Sequence, residues 1–481
     1  MIQVFTPLRR GLVLGLLLLL QLNVQAAKQP NIVFLLADDQ RSDVLGCYGN
    51  EDIQTPTIDR LAEKGLLFNN SFCEVPICAA TRASLVTGLS QRTHGYNFGE
   101  KPVVEQQMSN SYPALLKQAG YRVGFAGKYG FKHAGPKPQK LFDFFKTIGR
   151  DPYLKKMPDG SLRHETDLCA DAAIEFIKSN KAGQPFCMSV SFNASHAEDK
   201  DHRPGFHFQW PESTDGMYED LDLTSGPRLG DRKHFKAMPE FLQEEVGLSR
   251  TRYFWRWDTP EKYQTNMRAY YRMITGIDFA IARIVEALEA EGLTDNTIIV
   301  YTADNGLLLG DRGTAGKWNH YEQSLRVPLV IYDPRLPESV RGTKVDGLVT
   351  NLDIAPTFLE LAGARIPRSY QGQSLLPWFN GQAVTNWRDS IFTEHAFYAY
   401  DNWYGVRSER YKLASYYTVE DAPYYCLYDL QKDPDELTNL AKNPEYASLL
   451  SQMKKRLAKY LDDYPEDQRP KKFNDPSQSK F

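Results

Sequence analysis

Four apolar runs along the chain end abruptly in polar or charged residues. Ile32-Val33-Phe34-Leu35-Leu36 runs into Ala37-Asp38-Asp39, and Thr297 to Thr302 runs into Ala303-Asp304-Asn305. Phe186 to Phe192 leads to Asn193-Ala194-Ser195-His196, and the shorter Val123-Gly124-Phe125-Ala126 leads to Gly127-Lys128. Near-continuous apolarity is the pattern of strands buried on both faces, as in a parallel sheet covered by helices. Helical spacing intervenes. Leu168, Ala172 and Phe176 recur at every fourth position after a candidate cap at Thr166, and Ile274, Ile277, Ile281, Ile284 and Leu288 mark a long helix that stops at Gly292. Alternating strands and helices predict an α/β doubly wound sheet. Such sheets bind ligands beyond the carboxyl ends of their strands, and the polar residues just named fall there.

Residues 199–262 break the alternation with Pro204, Trp210, Pro211, Pro227, Trp255, Trp257 and many charges. So long a connection reads as an insertion with a function or some structure of its own. Beyond about residue 385 short strand-like pieces follow: Ser390 to Thr393, Trp403 to Arg407 and Tyr411 to Leu413. Tyr446, Leu449, Leu450, Met453, Leu457 and Leu461 then mark one amphipathic helix. Residues 386–481 are therefore expected to form a smaller α+β subdomain after a main domain over 27–385. At the other end, Arg9 and Arg10 precede the apolar run Gly11 to Leu20, and Val24-Gln25-Ala26 fits a small-residue cleavage site. Residues 1–26 are expected to be a secretory signal, too short for a comfortable membrane span, which makes the protein exported, periplasmic or secreted.

Composition narrows the function. With 481 residues, 42% of them hydrophobic, the chain has ample material for a core and is not largely disordered. The 57 basic and 60 acidic residues balance to −3 and no long basic run occurs, so nucleic acid is not an expected partner. No second apolar stretch approaches membrane length. Six cysteines do not make a disulfide scaffold; Cys187 lies in an apolar run and Cys169 in a helical pattern, the places of buried small hydrophobes.

Asp38, Asp39, Asp304 and Asn305 are hard oxygen donors from two distant strand ends. Carboxylates crowded there would repel unless a cation neutralised them, and oxygen-only ligation favours calcium or magnesium over zinc. The bland alternative makes these residues ordinary turns. The stretch Cys78-Ala79-Ala80-Thr81-Arg82-Ala83-Ser84-Leu85-Val86-Thr87-Gly88 predicts a helix ending at Gly88. Cys78 falls near its N-terminus, where anions bind, and Arg82 lies on the same face four residues on. A nucleophile beside a guanidinium suits an anionic tetrahedral group; a buried structural cysteine is the competing reading.

The segment CAATRASLVTG resembles the signature of type I sulfatases, C-x-P/A-x-R followed by a helix and T-G, here in its alanine form. NIVFLLADDQ, GYRVGFAGK, TADNGLLLGDRGTAGK with YEQSLRVPLVIY, NLDIAPTFLELAG and LYDLQKDPDELTNLA resemble further family segments in the same order, over roughly residues 28–462. The resemblance implies an alkaline-phosphatase-like fold, a large mixed but mainly parallel sheet between helices. It implies that Cys78 is oxidised to formylglycine by a maturation enzyme, and that the hydrated aldehyde attacks sulfur. Asp38, Asp39, Asp304 and Asn305, with residue 78, would hold a divalent cation, usually calcium. Arg82 would hold the formylglycine. Lys128, His196 and Lys317 would line the sulfate site, with His196, helped by Lys317, protonating the departing alcohol.

One departure stands out. The family often reads K-W-H-x-G after the strand lysine, and that histidine assists sulfate release. Here Lys128-Tyr129-Gly130 puts glycine at its place, with His133 or His320 as possible replacements. His202, Arg203 and His395 are further loop residues that could reach a site at the sheet's end. The leading expectation is hydrolysis of a sulfate ester on a carbohydrate. The aromatics Trp210, Tyr253, Phe254, Trp255 and Trp257 would either stack on sugar rings or pack the insertion onto the domain. A phosphate or phosphonate monoester hydrolase of the same superfamily, and a non-catalytic carbohydrate-binding relative with unmodified Cys78, are the alternatives.

Overall fold

The computed structural model describes residues 29–468, apart from 99–100, 202, 204, 224–231, 244–246, 382–383, 397–401 and 420–421. The expected signal segment and His202 lie outside the described residues. An eight-stranded sheet runs in the order Thr343–Val345, Leu66–Phe68, Leu329–Tyr332, Thr297–Ala303, Asn31–Ala37, Phe186–Ser191, Arg122–Gly127, Phe144–Thr147. The last five are mutually parallel, and Leu329–Tyr332 runs against both its neighbours.

The apolar runs are explained by burial on both faces. Successive side chains of a strand point to opposite sides. In Asn31–Ala37, Val33, Leu35 and Ala37 enter one core with Phe176, Ile274, Ile277 and Ile281 from the helices Glu165–Lys178 and Pro260–Ala290. Ile32, Phe34 and Leu36 enter a second core with Leu85, Leu116 and Phe358. The central strands thus need apolar residues at every position. The helix Cys78–Thr87 is buried throughout on the second face, and Gly88 ends it in the left-handed conformation with φ 67°.

Two details differ from the sequence reading. His164, not Thr166, caps the helix Glu165–Lys178: its Nδ1 accepts the Thr166 amide. The long helix starts at Pro260, within the 199–262 stretch, with the Thr259 side chain capping Lys262. That stretch also holds the helices Arg232–Ala237 and Leu248–Arg256. Trp257 and Tyr253 are buried against the main domain, whereas Phe254 is exposed.

The C-terminal part is a four-stranded antiparallel sheet, Ser390–His395, Trp403–Ser408, Tyr411–Tyr416 and Tyr424–Asp429, covered by the helix Ala447–Asp463. All six cysteines are free. Among the described residues no helix is long and apolar enough to cross a membrane.

Candidate active site

Strand register assembles the site. Ala37 pairs with Ala303, so Asp38 and Asp304 leave adjacent strands side by side. Ser191 pairs with Leu36 on one side and Gly127 on the other, which brings the Asn193–His196 loop and Lys128 to the same edge. Asp39 takes a left-handed backbone, φ 55°, an accessible state for aspartate. Its carbonyl accepts the Tyr270 hydroxyl at 2.8 Å. Ligand atoms of Asp38, Asp39 and His196, and those of Asp38, Cys78 and Asp304, cluster within 4.8 Å of one another.

Cations interleave with these acids. Arg82, one turn along the helix from Cys78, reaches Asp304 Oδ2 at 2.7 and 2.8 Å through Nη2 and Nε, and donates to the Lys128 carbonyl at 2.8 Å and to Ser191 Oγ. Lys128 pairs with Asp38, and Lys317 with Asp39. Lys317 also donates to Asn305 Oδ1 at 3.3 Å, and Asn305 Nδ2 donates to Asp39 Oδ1 at 2.7 Å. Burial opposes ionisation of Asp38, yet Lys128, Arg82, His196 and Lys317 hold its carboxyl well below the usual range. For Asp304, burial and then the Asp38 charge win over Arg82, and the carboxyl is pushed up to about 6. Lys317 is raised despite burial, by Asp39 first and then by Cys78 and Asp38. These residues form one cage in which acids and cations alternate.

The cage also offers donors for a metal. Asp38 Oδ1 is buried and makes no hydrogen bond, an orphan that a divalent ion would satisfy. Two carboxylates beside the Cys78 position, a third from Asp39 and the Asn305 amide form an oxygen-rich donor set of the kind calcium and magnesium take.

His196 Nδ1 lies 2.6 Å from the Ala197 carbonyl and donates to it, which leaves Nε2 facing Asp39 Oδ2 at 3.5 Å. Burial, then Arg150, Lys317 and Lys128, pull its pKa well down against the opposing pull of Asp38. Its loop rests on a residue the sequence reading missed. The buried Glu165 accepts the Asn193 and Ala194 amides at 3.0 and 2.9 Å and the Asn193 side chain at 3.1 Å. Its only sequence signal was an acid in the first turn of a helix.

Not every candidate joins the site. His320 is buried between Tyr416 and Tyr428, with Nδ1 2.6 Å from the Tyr416 hydroxyl, and so belongs to the contact with the C-terminal sheet. His395 is wholly buried on the strand Ser390–His395. His133 packs by Tyr129 and Phe131, its Nδ1 on the Ala134 carbonyl. Arg203 pairs with Asp201 and lies over Phe206. Gly130 has φ +82°, and a Cβ there would meet Arg82 Cδ at 2.6 Å. The glycine fits a backbone and a space that a histidine does not.

Clustered carboxylates, a cysteine at a helix start and surrounding cations form an arrangement suited to an anionic, tetrahedral group. The α/β sandwich around it is of the kind that carries such sites at its strand ends. The chain belongs to the sulfatase family: the family model for sulfatase matches residues 30–364, and that for the C-terminal part of N-sulphoglucosamine sulphohydrolase matches residues 310–463. It is a sulfuric ester hydrolase. It is 30% identical to the N-acetylglucosamine-6-O-sulfatase of Bacteroides thetaiotaomicron, over 94% of this chain and 89% of that one. A protein solved in complex with its substrate D-glucosamine-2-N,6-O-disulfate superposes with a TM-score of 0.71 at 27% identity, covering 94% of this chain and 100% of the other. The phosphonate monoester hydrolase of Agrobacterium radiobacter, 24% identical with a TM-score of 0.75 over 91% and 96% of the two chains, shares the fold.

Proposed function

We propose that this sulfatase removes sulfate from a sulfated carbohydrate outside the cytoplasm, with residue 78 as the nucleophile after oxidation of its cysteine to formylglycine by a maturation enzyme. The observation that carries the reading is the position of Cys78. It opens a fully buried helix, with Asp38 and Asp304 carboxylate oxygens within 4.8 Å of its sulfur and Arg82 one turn on. Such a cage would activate an oxygen nucleophile and hold an anionic ester, whereas a structural cysteine needs no cations around it.

Asp38, Asp39, Asp304, Asn305 and residue 78 would hold a calcium ion, which when bound supplies Lewis-acid stabilisation of charge on the transferring sulfuryl group. Arg82 fixes residue 78 and Asp304 in place. Lys128 and Lys317 turn from Asp38 and Asp39 to the sulfate oxygens. In the free site His196 is neutral, with its Nδ1 proton held by Ala197. An arriving anion favours the imidazolium and readies Nε2 to protonate the leaving alcohol. The amino-terminal sequence, Arg9 to Ala26, supports export. Curated relatives named for N-acetylglucosamine-6-O-sulfate, ulvan and hexuronate-2-O-sulfate chemistry support a sugar as the alcohol.

The test is sulfate release from a panel of defined sulfated sugars by the wild type and by Cys78→Ala. Release by the wild type alone is expected; equal release by both removes residue 78 from the reaction. The mass of the active-site peptide reads the loss of sulfur on maturation. The phosphonate hydrolase fold supports a second reading, which faster turnover of phosphate than of sulfate monoesters would favour.

A further inference from the structure

Arg150 is absent from every motif in the sequence, yet the fold carries it to the nucleophile. It follows the edge strand Phe144–Thr147, and the chain on either side of it is pinned to the loop that bears His196. The Ile148 carbonyl accepts the Asn193 side chain at 2.8 Å. The buried Tyr153 hydroxyl reaches the Asn193 and His196 carbonyls at 3.0 and 2.6 Å. A ring stack on His164, with centroids 5.2 Å apart and planes 4° from parallel, fixes Tyr153 in turn. Between these anchors Arg150 has little freedom.

Its charge is felt by Asp38, Cys78 and Asp199, which come from three separate elements, besides Tyr153 of its own segment, and it opposes protonation of His196. The other cations of the cage have carboxylate partners: Arg82 has Asp304, Lys128 has Asp38 and Lys317 has Asp39. Asp199 is held by Arg252 and Arg256 at 2.5 and 2.6 Å. Among the described residues, Arg150 makes no ion pair, and its Nε is buried with no hydrogen-bond partner, as are those of Arg252 and Arg256, which have Asp199 at Nη2. A buried donor without an acceptor is costly unless a ligand completes it.

We propose that Arg150 is a substrate-binding residue that donates to the oxygens of the sulfate ester under attack, on the His196 side. It thereby supplies a cationic contact in a site whose family histidine is replaced by Gly130. A guanidinium suits this task because its planar donors match tetrahedral oxyanions two at a time. The proposal rests on the sulfate-ester reading of the same site.

The test is calorimetric binding of inorganic sulfate to the full-length wild type, Arg150→Gln and Arg150→Lys, alongside turnover of a neutral sugar bearing one sulfate. Arg150→Gln is expected to weaken sulfate binding by about tenfold or more and to lower kcat/KM by about 100-fold, with Tm nearly unchanged. Arg150→Lys, which keeps the charge and loses the paired donors, is expected to fall between and remains informative if the glutamine variant folds poorly. Wild-type sulfate affinity in either variant overturns the assignment. So does an unchanged kcat/KM of Arg150→Gln on the singly sulfated sugar, since Arg150 would then not touch the ester under attack. Faster phosphate than sulfate turnover by the wild type would sink the sulfate-ester reading separately, because the difference in sulfate binding is measured without turnover.

Discussion

Asp304 answers to two neighbours at once, the guanidinium it accepts and the Asp38 carboxylate beside it. Asp304→Asn keeps the shape and removes the charge. It is expected to lower kcat/KM by about 100-fold or more and to reduce bound metal, read by elemental analysis of the purified protein. Removing metal from the wild type with a chelator should reproduce the loss, and added calcium should reverse it. His164 makes a different prediction, about stability. Its Nδ1 accepts from Thr166 and its Nε2 donates to the Gln209 carbonyl at 3.0 Å, so the ring is held neutral. Burial depresses its pKa from 6.5 to about 4. Above pH 6.5 the ring is neutral folded or unfolded. Between 6.5 and about 4 the unfolded chain binds a proton that the folded chain does not, so stability falls as pH falls, by up to about 3 kcal/mol. Urea unfolding at pH 7.5 and 4.5 should show a smaller decline in His164→Asn. At this scale the sequence was most legible where a side chain's chemistry and its place at a strand end coincide, as for Asp38 and Lys128. Glu165 acts through contacts with a distant segment, which leave no local pattern.

Elements are tied together through helix ends as well as through cores. Thr55, at the start of the helix Pro56–Glu63, makes no capping bond with its side chain. Asp278 of the long helix Pro260–Ala290 does the capping instead, accepting the Ile58 and Thr57 amides at 2.7 and 3.1 Å. Asp278→Ala strands both donors in a buried junction and should cost about 1–3 kcal/mol, seen as a lower urea midpoint with an unchanged slope. The long helix and the central strands could be read from their spacing because each spans many repeats. Leu66–Phe68, Leu329–Tyr332 and Thr343–Val345 have three or four residues each, too few for a period to emerge, and their pairing is set by the strands beside them.

For the whole molecule, the C-terminal sheet is part of the site's support. Trp403 Nε1 donates to the Trp318 carbonyl at 3.0 Å, next to Lys317. Two residues on, His320 sits between Tyr416 and Tyr428, and Glu322 receives Lys412 and Arg407 at 3.2 and 3.4 Å. Trp403→Phe drops the donor and cuts a wholly buried indole to a phenyl ring. It should lower kcat several-fold through Lys317 and also lower Tm, because a cavity is left, as judged by steady-state kinetics and thermal unfolding. The sequence marks an α+β end to the chain, but the grip of that end on Lys317 follows from docking and is not written in either segment alone.

This arrangement has a consequence for time. Asp38 waits for Asp304, 266 positions later, and Lys317 waits for strands that leave the ribosome after it. A partly made chain, however well its first strands have formed, carries no working cage. On the proposed reading activity further requires residue 78 to be oxidised, so neither a growing nor a freshly folded chain would act on the sulfate esters it meets.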